Sequence, residues 1–349
     1  MRSFRLAIVL LVILTGSAAL GMYRASDLVV VPVAASLPGL NGSNWRTDLE
    51  IENVDTVPID VLIIFLPTSF TTNATWYQNL ANHLSGRAVD GFGKTDAKLK
   101  DIPSGRAVVL QDVIKTNWTE NVKGALLIFA YQAGTYKTTT PPGGVPKLIV
   151  VRSRTYSLGT TTDNKPTTYG QSVPGLPWYY YLDPGLESKG LNQAVFSGIN
   201  ENASYRTAVG LVNLSDVTTS VYVQASLTSA EGTVIGTSVT YLYPLQHRQF
   251  DQAVLSLFNL ASGSVVDNAT MSVKVSAWSS PSAQPKPGLL VYCSRVDNTT
   301  NDPVYLEQAF IKEFPWDCVF NGNCSAAQAL SAPHAGIYRR PLSPPVAAN

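Results

Sequence analysis

Apolar and polar residues alternate along several segments of the chain at the spacing of a β-strand. Between Trp45 and Glu52, the residues Trp45, Thr47, Leu49 and Ile51 share one face, and charged residues occupy the other. Successive side chains of a strand point to opposite faces, so this segment predicts a sheet with one buried and one solvated face. The same alternation recurs in two later segments, 221–228 and 271–277.

Other segments predict strands of a different kind and the turns between them. Two continuous apolar runs, 59–66 and 148–151, are typical of strands that are buried on both faces. The residues of 230–233 favour a hairpin turn, and helical spacing is confined to short pieces, such as the one after Asp251. Many short strands separated by turns indicate β-sandwiches, so the sequence predicts an all-β fold.

The chain also contains an ordered internal repeat. Segment 41–53 is matched by 202–213, and segment 148–154 is matched by 289–295. The matches occur in the same order in both halves, which predicts two copies of one sandwich. Pro and Gly residues near residue 180 mark the break between the copies. The predicted divisions are a first sandwich at 28–175, a linker at 176–184, a second sandwich at 185–313, and a disulfide loop with a disordered tail at 314–349.

The first 21 residues have the three parts of a secretory signal peptide. Arg2 and Arg5 give a positive start, an apolar run extends from Leu6 to Leu14, and small residues follow it. The apolar run is shorter than the roughly 20 residues of a membrane-spanning helix, which favours cleavage over an uncleaved anchor. We therefore expect a secreted, cell-surface or periplasmic protein with no membrane span after the signal is cleaved.

The composition bears on the classes of partner. Charged residues make up 14% of the chain, against roughly 25% in a typical soluble domain. The formal charge of +1 falls to −1 when Arg2 and Arg5 leave with the signal. A near-neutral surface gives no electrostatic reason to expect nucleic acid. An apolar content of 45% argues against a disordered chain.

Three short motifs carry a family resemblance. Trp45-Arg-Thr-Asp-Leu, Ser153-Arg-Thr-Tyr and Tyr169-Gly-Gln-Ser-Val-Pro resemble a module of uncharacterised secreted bacterial proteins. The resemblance covers residues 28 to 295 and implies tandem Ig-like β-sandwiches without an assigned activity. It supplies no catalytic residue. The second copy departs from the pattern at Val209 and at Val296, where the first copy has Asp48 and Thr155.

Residues suited to catalysis or metal binding are few. The three His residues lack His-Glu-x-x-His spacing, and no Gly-x-Ser-x-Gly or phosphate-loop motif occurs. His247 adjoins a strand start, where a surface histidine is favoured over a general base. Glu50 and Glu52 form an acidic pair that a glycosidase would use, but their alternation favours solvated charges. Segment 297–302 is rich in oxygen ligands for calcium but lacks the EF-hand glycine and glutamate. We predict no catalytic residue, metal or cofactor.

Two pairs of arginines recur between the repeats. Arg46 corresponds to Arg206, and Arg154 corresponds to Arg295. A guanidinium can join a carboxylate or backbone carbonyls across neighbouring strands, so we predict a structural role for all four. The alternative is an anion site in each sandwich.

The cysteines and one aromatic cluster complete the candidates. Cys318 and Cys324 enclose a turn-rich loop, and an exported chain permits a disulfide between them. Cys293 is predicted to be a buried thiol, with pairing to either other cysteine left open. The aromatic cluster is a candidate sugar-binding surface or, alternatively, the filling between the sandwiches; it consists of Trp178, Tyr179, Tyr180 and Tyr181.

Eight Asn-x-Ser/Thr sequons mark candidate glycosylation sites, which would lie on exposed loops. They begin at Asn41, Asn73, Asn117, Asn202, Asn213, Asn268, Asn298 and Asn323.

Three classes of function fit these observations. The leading hypothesis is a non-enzymatic structural or interaction protein outside the cytoplasm, with a protein or glycan partner at a cell surface. A carbohydrate-binding module is the second, and it requires exposed aromatic rings. A hydrolase with an unfamiliar carboxylate site is the third, and it requires acidic side chains that converge in a cleft.

Overall fold

A computed structural model describes residues 25–68, 93–94, 99–136, 144–160, 163–177, 180–182, 191–214, 220–243, 245–279 and 288–310. Strands account for 63% of it and helices for 6%, which confirms the predicted all-β, sandwich-type fold. We refer to residues 25–177 as the first half and to residues 191–310 as the second half. The signal segment 1–21 and the predicted loop and tail at 314–349 lie outside the described residues.

In its described residues, the first half contains nine strands, one short α-helix, α1 (Val113–Asn117), and one turn of 3-10 helix (Leu40–Gly42). The strands are β1 (Leu28–Pro38), β2 (Asn44–Asn53), β3 (Ile59–Pro67), β4 (Gly93–Lys94), β5 (Ala107–Leu110), β6 (Val122–Gln132), β7 (Ile149–Thr160), β8 (Pro166–Pro174) and β9 (Leu176–Pro177). Strand β1 pairs with β6 along most of its length and with β2 at Leu37 and Pro38, so it belongs to both layers. Beyond it, β3 extends the β6 layer and β7 extends the β2 layer.

The second half repeats this arrangement, but its strands form two separate sheets. Its described residues also contain one short helix, α2 (Ala253–Ser256). The strands are β10 (Gln193–Glu201), β11 (Tyr205–Asn213), β12 (Ser220–Thr228), β13 (Val234–Leu242), β14 (His247–Phe250), β15 (Val266–Ser279), β16 (Leu289–Asp297), β17 (Pro303–Glu307) and β18 (Ala309–Phe310). One sheet has the order β13-β12-β15-β10-β18, and the other has the order β14-β11-β16-β17.

The two halves repeat the same strand pairings. β1–β6 and β3–β6 correspond to β10–β15 and β12–β15, and β2–β7 and β7–β8 correspond to β11–β16 and β16–β17. These eight pairings are antiparallel, and β2 and β11 hold the matched segments of the sequence repeat. The pairing order therefore supports two copies of one fold. The divisions near residue 180 stay a prediction, because 178–179 and 183–190 lie outside the described residues.

Three apolar clusters fill the molecule. One lies inside the first half, another lies inside the second half, and the third joins them. In β3, Ile63 points into the first core, whereas Ile64 points into the joining cluster, where Leu245 and Leu290 of the second half also pack. This explains the continuous apolar run 59–66, because strands buried on both faces lose their alternation. Burial of β3 on both faces is thus confirmed. The same prediction for 148–151 was wrong, since Leu148 is 47% exposed and burial alternates along β7.

No helix in the described part of the chain combines the length and the apolar character needed to cross a membrane.

Candidate functional site

A cleft lies where the two halves meet. Its walls come from β1, β2, β6, β7 and β8 of the first half and from β11, β14 and β16 of the second half, and its volume is about 100 Å³. Concave sites between domains are common places for ligands, so we take this cleft as the candidate functional site. Its polar and aromatic lining includes Trp45, Lys123, Thr155, Gln171, Arg206, Gln249, Asp251, Tyr292 and Ser294.

His247 forms the buried polar contact beneath the cleft. Its ring has no exposed surface; Nδ1 contacts the Thr68 hydroxyl, and Nε2 lies 3.2 Å from the Tyr292 hydroxyl. Burial, reinforced by the positive charge of Lys123, lowers the pKa of His247 to about 3. The imidazole is therefore neutral at physiological pH. The prediction of a surface histidine was wrong, because residues of the first half, distant in sequence, cover His247.

Tyr292 connects this histidine to the cleft wall. Its hydroxyl donates to Gln249 Oε1 at 2.7 Å, and its ring stacks on the His247 ring at an interplanar angle of 8°. The Tyr292 side chain packs in the core of the first half, although the residue belongs to β16. Burial raises the pKa of Tyr292 well above its ordinary value, so the phenol keeps its proton and acts as a donor.

An ion pair spans the two halves beside Tyr292. Lys123 Nζ on β6 lies 2.5 Å and 2.7 Å from the two carboxylate oxygens of Asp251, which directly follows β14. Gln249 Nε2 donates to the same carboxylate at 2.8 Å, and Ser294 Oγ donates to Gln171 Oε1 at 3.1 Å from the opposite wall. The polar groups of the cleft therefore hold the two halves in one relative position.

Arg206 lies buried at the second-half side of the cleft. It is 4% exposed and donates to Asn298 Oδ1 at 2.8 Å and to Asn301 Oδ1 at 2.9 Å. Both asparagines belong to the oxygen-rich turn 297–302, and Asp297 Oδ1 accepts from the backbone of that turn. A guanidinium thus uses oxygens that the calcium hypothesis would have assigned to a metal ion. Within the described residues, no group of three or more acidic, His or Cys side chains is placed to hold a metal.

Arg46 occupies the equivalent strand position in the first half but makes different contacts. Its guanidinium donates to Asn44 Oδ1 at 2.7 Å and pairs with Asp112 at 3.1 Å. Arg46 and Arg206 are equivalent because each is followed by a threonine that makes the same contact. The Thr47 hydroxyl accepts from a backbone N–H of β1, and the Thr207 hydroxyl accepts from a backbone N–H of β10. Each arginine is therefore bonded to its own half.

The second arginine pair is not equivalent. Because Thr47 is equivalent to Thr207, the residue equivalent to Asp48 is Ala208, and not Val209 as the sequence match predicted. Arg154 lies opposite Asp48 on β2, whereas Arg295 lies opposite Thr207 on β11, one position before Ala208. A shift of one residue moves a side chain to the other face of a sheet. Arg154 is exposed and bonded to Thr168, whereas Arg295 is half-buried, with its guanidinium over the Tyr205 ring. The predicted match of Arg154 with Arg295 was therefore wrong by one residue.

The aromatic cluster near residue 180 is buried where it is described. Tyr180 and Tyr181 are 9% and 3% exposed and belong to the cluster that joins the halves. Tyr180 Oη donates to the backbone oxygen of Gln308, whose side-chain amide donates back to the Tyr180 carbonyl. These two rings are therefore not a sugar-stacking surface, which corrects that hypothesis for them. Trp178 and Tyr179 lie outside the described residues.

Other sequence candidates have structural partners. Arg152 Nη1 lies 3.1 Å from Glu50 and 2.9 Å from Glu52, so the two carboxylates share one guanidinium on the solvated face of their sheet. Cys293 is buried and has no disulfide partner among the described residues, and its burial raises the pKa of the thiol. Cys318 and Cys324 lie outside the described residues, so their disulfide stays a prediction.

The sequons differ in exposure. Asn41 and Asn268 are exposed, whereas Asn117, Asn202 and Asn298 are half-buried. The backbone N–H of Asn268 donates a hydrogen bond. The side chains of the other four asparagines are hydrogen-bonded. Asn213 is completely buried and donates to the carbonyl of Tyr243, so a glycan has no room there and that candidate is wrong. Asn73 and Asn323 lie outside the described residues.

An exposed tyrosine group was missed by the sequence patterns. Tyr222 and Tyr241 face each other across β12 and β13, with ring centroids 4.9 Å apart, and Tyr243 contacts Tyr241 at 5.0 Å. Tyr222 and Tyr243 are 41% and 45% exposed. The alternation in 221–228 placed Tyr222 on the solvated face. Only the hairpin pairing brings Tyr241 beside it.

Most of the cleft was also missed. Lys123 and Gln249 lie in strand segments that no motif distinguishes. Gln171 lies in the motif Tyr169-Gly-Gln-Ser-Val-Pro and Tyr292 lies in the repeat segment 289–295, but neither pattern marked its residue as part of a binding site. Asp251 carried a weak signal, because both repeats have an acidic residue next to a Gln directly before their short helix. The comparisons with known proteins add no assignment: no protein-family model matches the chain, and no curated protein matches it.

Proposed function

We propose that this protein is a non-enzymatic structural or interaction protein that acts outside the cytoplasm, with the cleft between its halves as the binding site. The observation that carries the proposal is the commitment of the cleft's polar groups to contacts between the halves. Lys123 is paired with Asp251, and His247 is enclosed and neutral. Such contacts give the cleft a fixed shape, which lowers the entropy cost of binding a partner.

The composition of the cleft supports binding over hydrolysis. Asp251 is the one carboxylate among the described residues that line it, whereas glycoside hydrolases use two carboxylates that flank the bond to be cleaved. The remaining polar lining consists of amides, hydroxyls and two cationic side chains. Together with the Trp45 ring, these groups can hydrogen-bond to a polar partner and cover an apolar part of it.

A glycan is the second candidate partner, and Trp45 is the observation that favours it. The indole lines the cleft together with Gln171 and Asp251, which offer hydrogen-bond donors and acceptors. A carbohydrate presents hydroxyl groups along with apolar ring faces, and this lining matches both. The aromatic residue of a carbohydrate-binding function would then be Trp45, in place of Tyr180 and Tyr181.

A glycan array probed with the full chain tests the proposal when Trp45→Ala and Gln171→Ala are compared with the parent. We expect either change to weaken binding by about tenfold or more. A tenfold change corresponds to about 1.4 kcal/mol of binding free energy, which is the loss expected for one well-packed contact. Val109→Ala is the matched control, because Val109 is 63% exposed on β5 and does not line the cleft. Equal binding by the parent and both cleft variants would exclude the cleft. Glycan hydrolysis that is lost in Asp251→Asn would contradict the non-enzymatic proposal.

A further inference from the structure

Strand β13 forms an open edge of the second half. It lies at one end of the order β13-β12-β15-β10-β18, and within the described residues it pairs with β12 alone. Its sequence, Val-Ile-Gly-Thr-Ser-Val-Thr-Tyr-Leu, has no charged residue and no proline. Val234 and Val239 are 58% and 68% exposed. An edge strand of this kind presents unpaired backbone donors and acceptors to solvent.

Soluble proteins usually protect such an edge with charges, proline, a bulge or a covering segment. β13 has one irregularity, a register shift where Thr228 meets Val234, and the ladder is regular from Gly236 to Leu242. The chain leaves this sheet through β18, at the opposite end of the strand order. The edge therefore has the properties of a strand that receives another strand.

We propose that β13 pairs antiparallel with β13 of a second copy of this chain, around a two-fold axis at Ser238. In this register Thr237 of each copy faces Val239 of the other, and Gly236 faces Thr240. Paired residues then lie on the same face of the sheet, because the residue numbers of each pair have the same parity. The two five-stranded sheets become one continuous sheet, and the rings of Tyr222 and Tyr241 lie on the same face as the Thr237–Val239 contacts.

Two observations favour a second copy as the occupant. The strand is uncharged, so pairing it with itself creates no like-charge contacts, and the β-branched Thr237 and Val239 form favourable cross-strand pairs. The opposite edge, β18, has two residues in the described part of the chain, so the two described edges are unlike and do not support growth of an open filament. A closed two-fold contact between identical strands provides hydrogen-bond partners for the backbone groups of both β13 edges. The proposal is independent of the cleft between the halves.

A charge-swap experiment tests the proposed register in the full chain. Thr237→Lys with Val239→Lys places like charges opposite each other twice, whereas Thr237→Glu with Val239→Lys places opposite charges there. We expect sedimentation equilibrium to show a dimeric parent, a dissociation constant raised about tenfold or more by the like-charge variant, and a value within about threefold of the parent for the opposite-charge variant. High salt should reduce the like-charge effect.

Charges placed far from β13 serve as the control. Val109→Lys with Leu158→Lys introduces the same charges on exposed positions of the first half, and we expect it to dimerise like the parent. Melting temperatures identify any variant that is simply destabilised. A monomeric parent, or equal weakening by both β13 variants, would overturn the pairing. A monomeric parent that loses a glycan ligand on Tyr241→Ala would instead assign this surface to carbohydrate.

Discussion

Gly210 leaves the space that the Tyr292 ring occupies. A Cβ atom at residue 210 would lie 2.0 Å from one ring carbon and 2.4 Å from the hydroxyl oxygen of Tyr292. The two residues face each other across β11 and β16. Close approach of a backbone to this ring is what allows Tyr292 to reach His247 and Gln249. A glycine on a central strand thus positions the polar contacts beneath the cleft.

Gly210→Ala is expected to lower the free energy of unfolding by about 1–3 kcal/mol, because a methyl group is forced into a packed site. Chemical denaturation at pH 7 measures the change. Ser226→Ala, on the solvated face of β12, is the control and should stay within about 0.5 kcal/mol of the parent. Stability equal to the parent in Gly210→Ala would mean that the ring moves freely, and the cleft would then not be rigid.

Replacement of the buried arginine should be more damaging than replacement of its counterpart. Arg206→Met removes two donors from Asn298 and Asn301 at a buried position, with an expected loss of about 2–3 kcal/mol. Arg46→Met breaks a partly exposed pair, with an expected loss of about 1 kcal/mol. Calorimetry compares the two, with exposed Arg154→Met as the control. An equal loss for all three variants would contradict the assigned contacts.

Stability should fall in mild acid because of His247. Its pKa is about 3 in the folded protein and about 6.5 when the chain is unfolded, so the unfolded state binds more protons between these values. Stability is therefore complete above pH 6.5 and decreases as the pH falls towards 3. Between pH 6.5 and 4.5 the expected loss is about 2–3 kcal/mol, at 1.36 kcal/mol per pH unit.

Denaturation curves at pH 7, 5.5 and 4.5 measure this dependence. The variant His247→Gln lacks the titrating group, so its stability should be nearly flat over the same range. A parent curve with the same slope as that variant would show that other groups cause the acid sensitivity.

The thiol of Cys293 should resist alkylation in the folded protein. It is completely buried and its pKa is raised, so neither access nor ionisation favours reaction. Mass spectrometry after iodoacetamide treatment, with and without denaturant, measures labelling at this residue. Mass spectrometry of peptides prepared without reduction tests the predicted disulfide. Free thiols at both Cys318 and Cys324 would exclude it. Rapid labelling of Cys293 in the native state would contradict its burial.

Local patterns in the sequence predicted local structure well. The alternation in 45–52 and 221–228 matches the burial seen in β2 and β12, since one face of each strand packs on a core. The ordered repeat also placed Arg46 and Arg206 on corresponding strands. In both cases the information lies within one strand, where the two-residue period is visible.

The remaining errors come from contacts between distant segments. In β16, Leu289 to Ser294 are all buried, so no alternation fixes which face each residue takes, and the match with β7 slipped by one position. His247 has polar neighbours in sequence, and its burial depends on Thr68 and Tyr292, which are far along the chain. The cleft combines strands of both halves, so its lining has no signature in any single segment.

The apolar cluster that joins the halves has a consequence for synthesis of the protein. The ribosome completes the first half before the second, and the outer face of β3 and β6 includes Ile64, Leu127 and Phe129, whose partners Leu245 and Leu290 come later. Until those residues emerge from the ribosome, this apolar surface of the nascent chain lacks the side chains that cover it in the folded protein. Chaperone capture during that interval, or delayed folding of the first half, would protect this surface from aggregation.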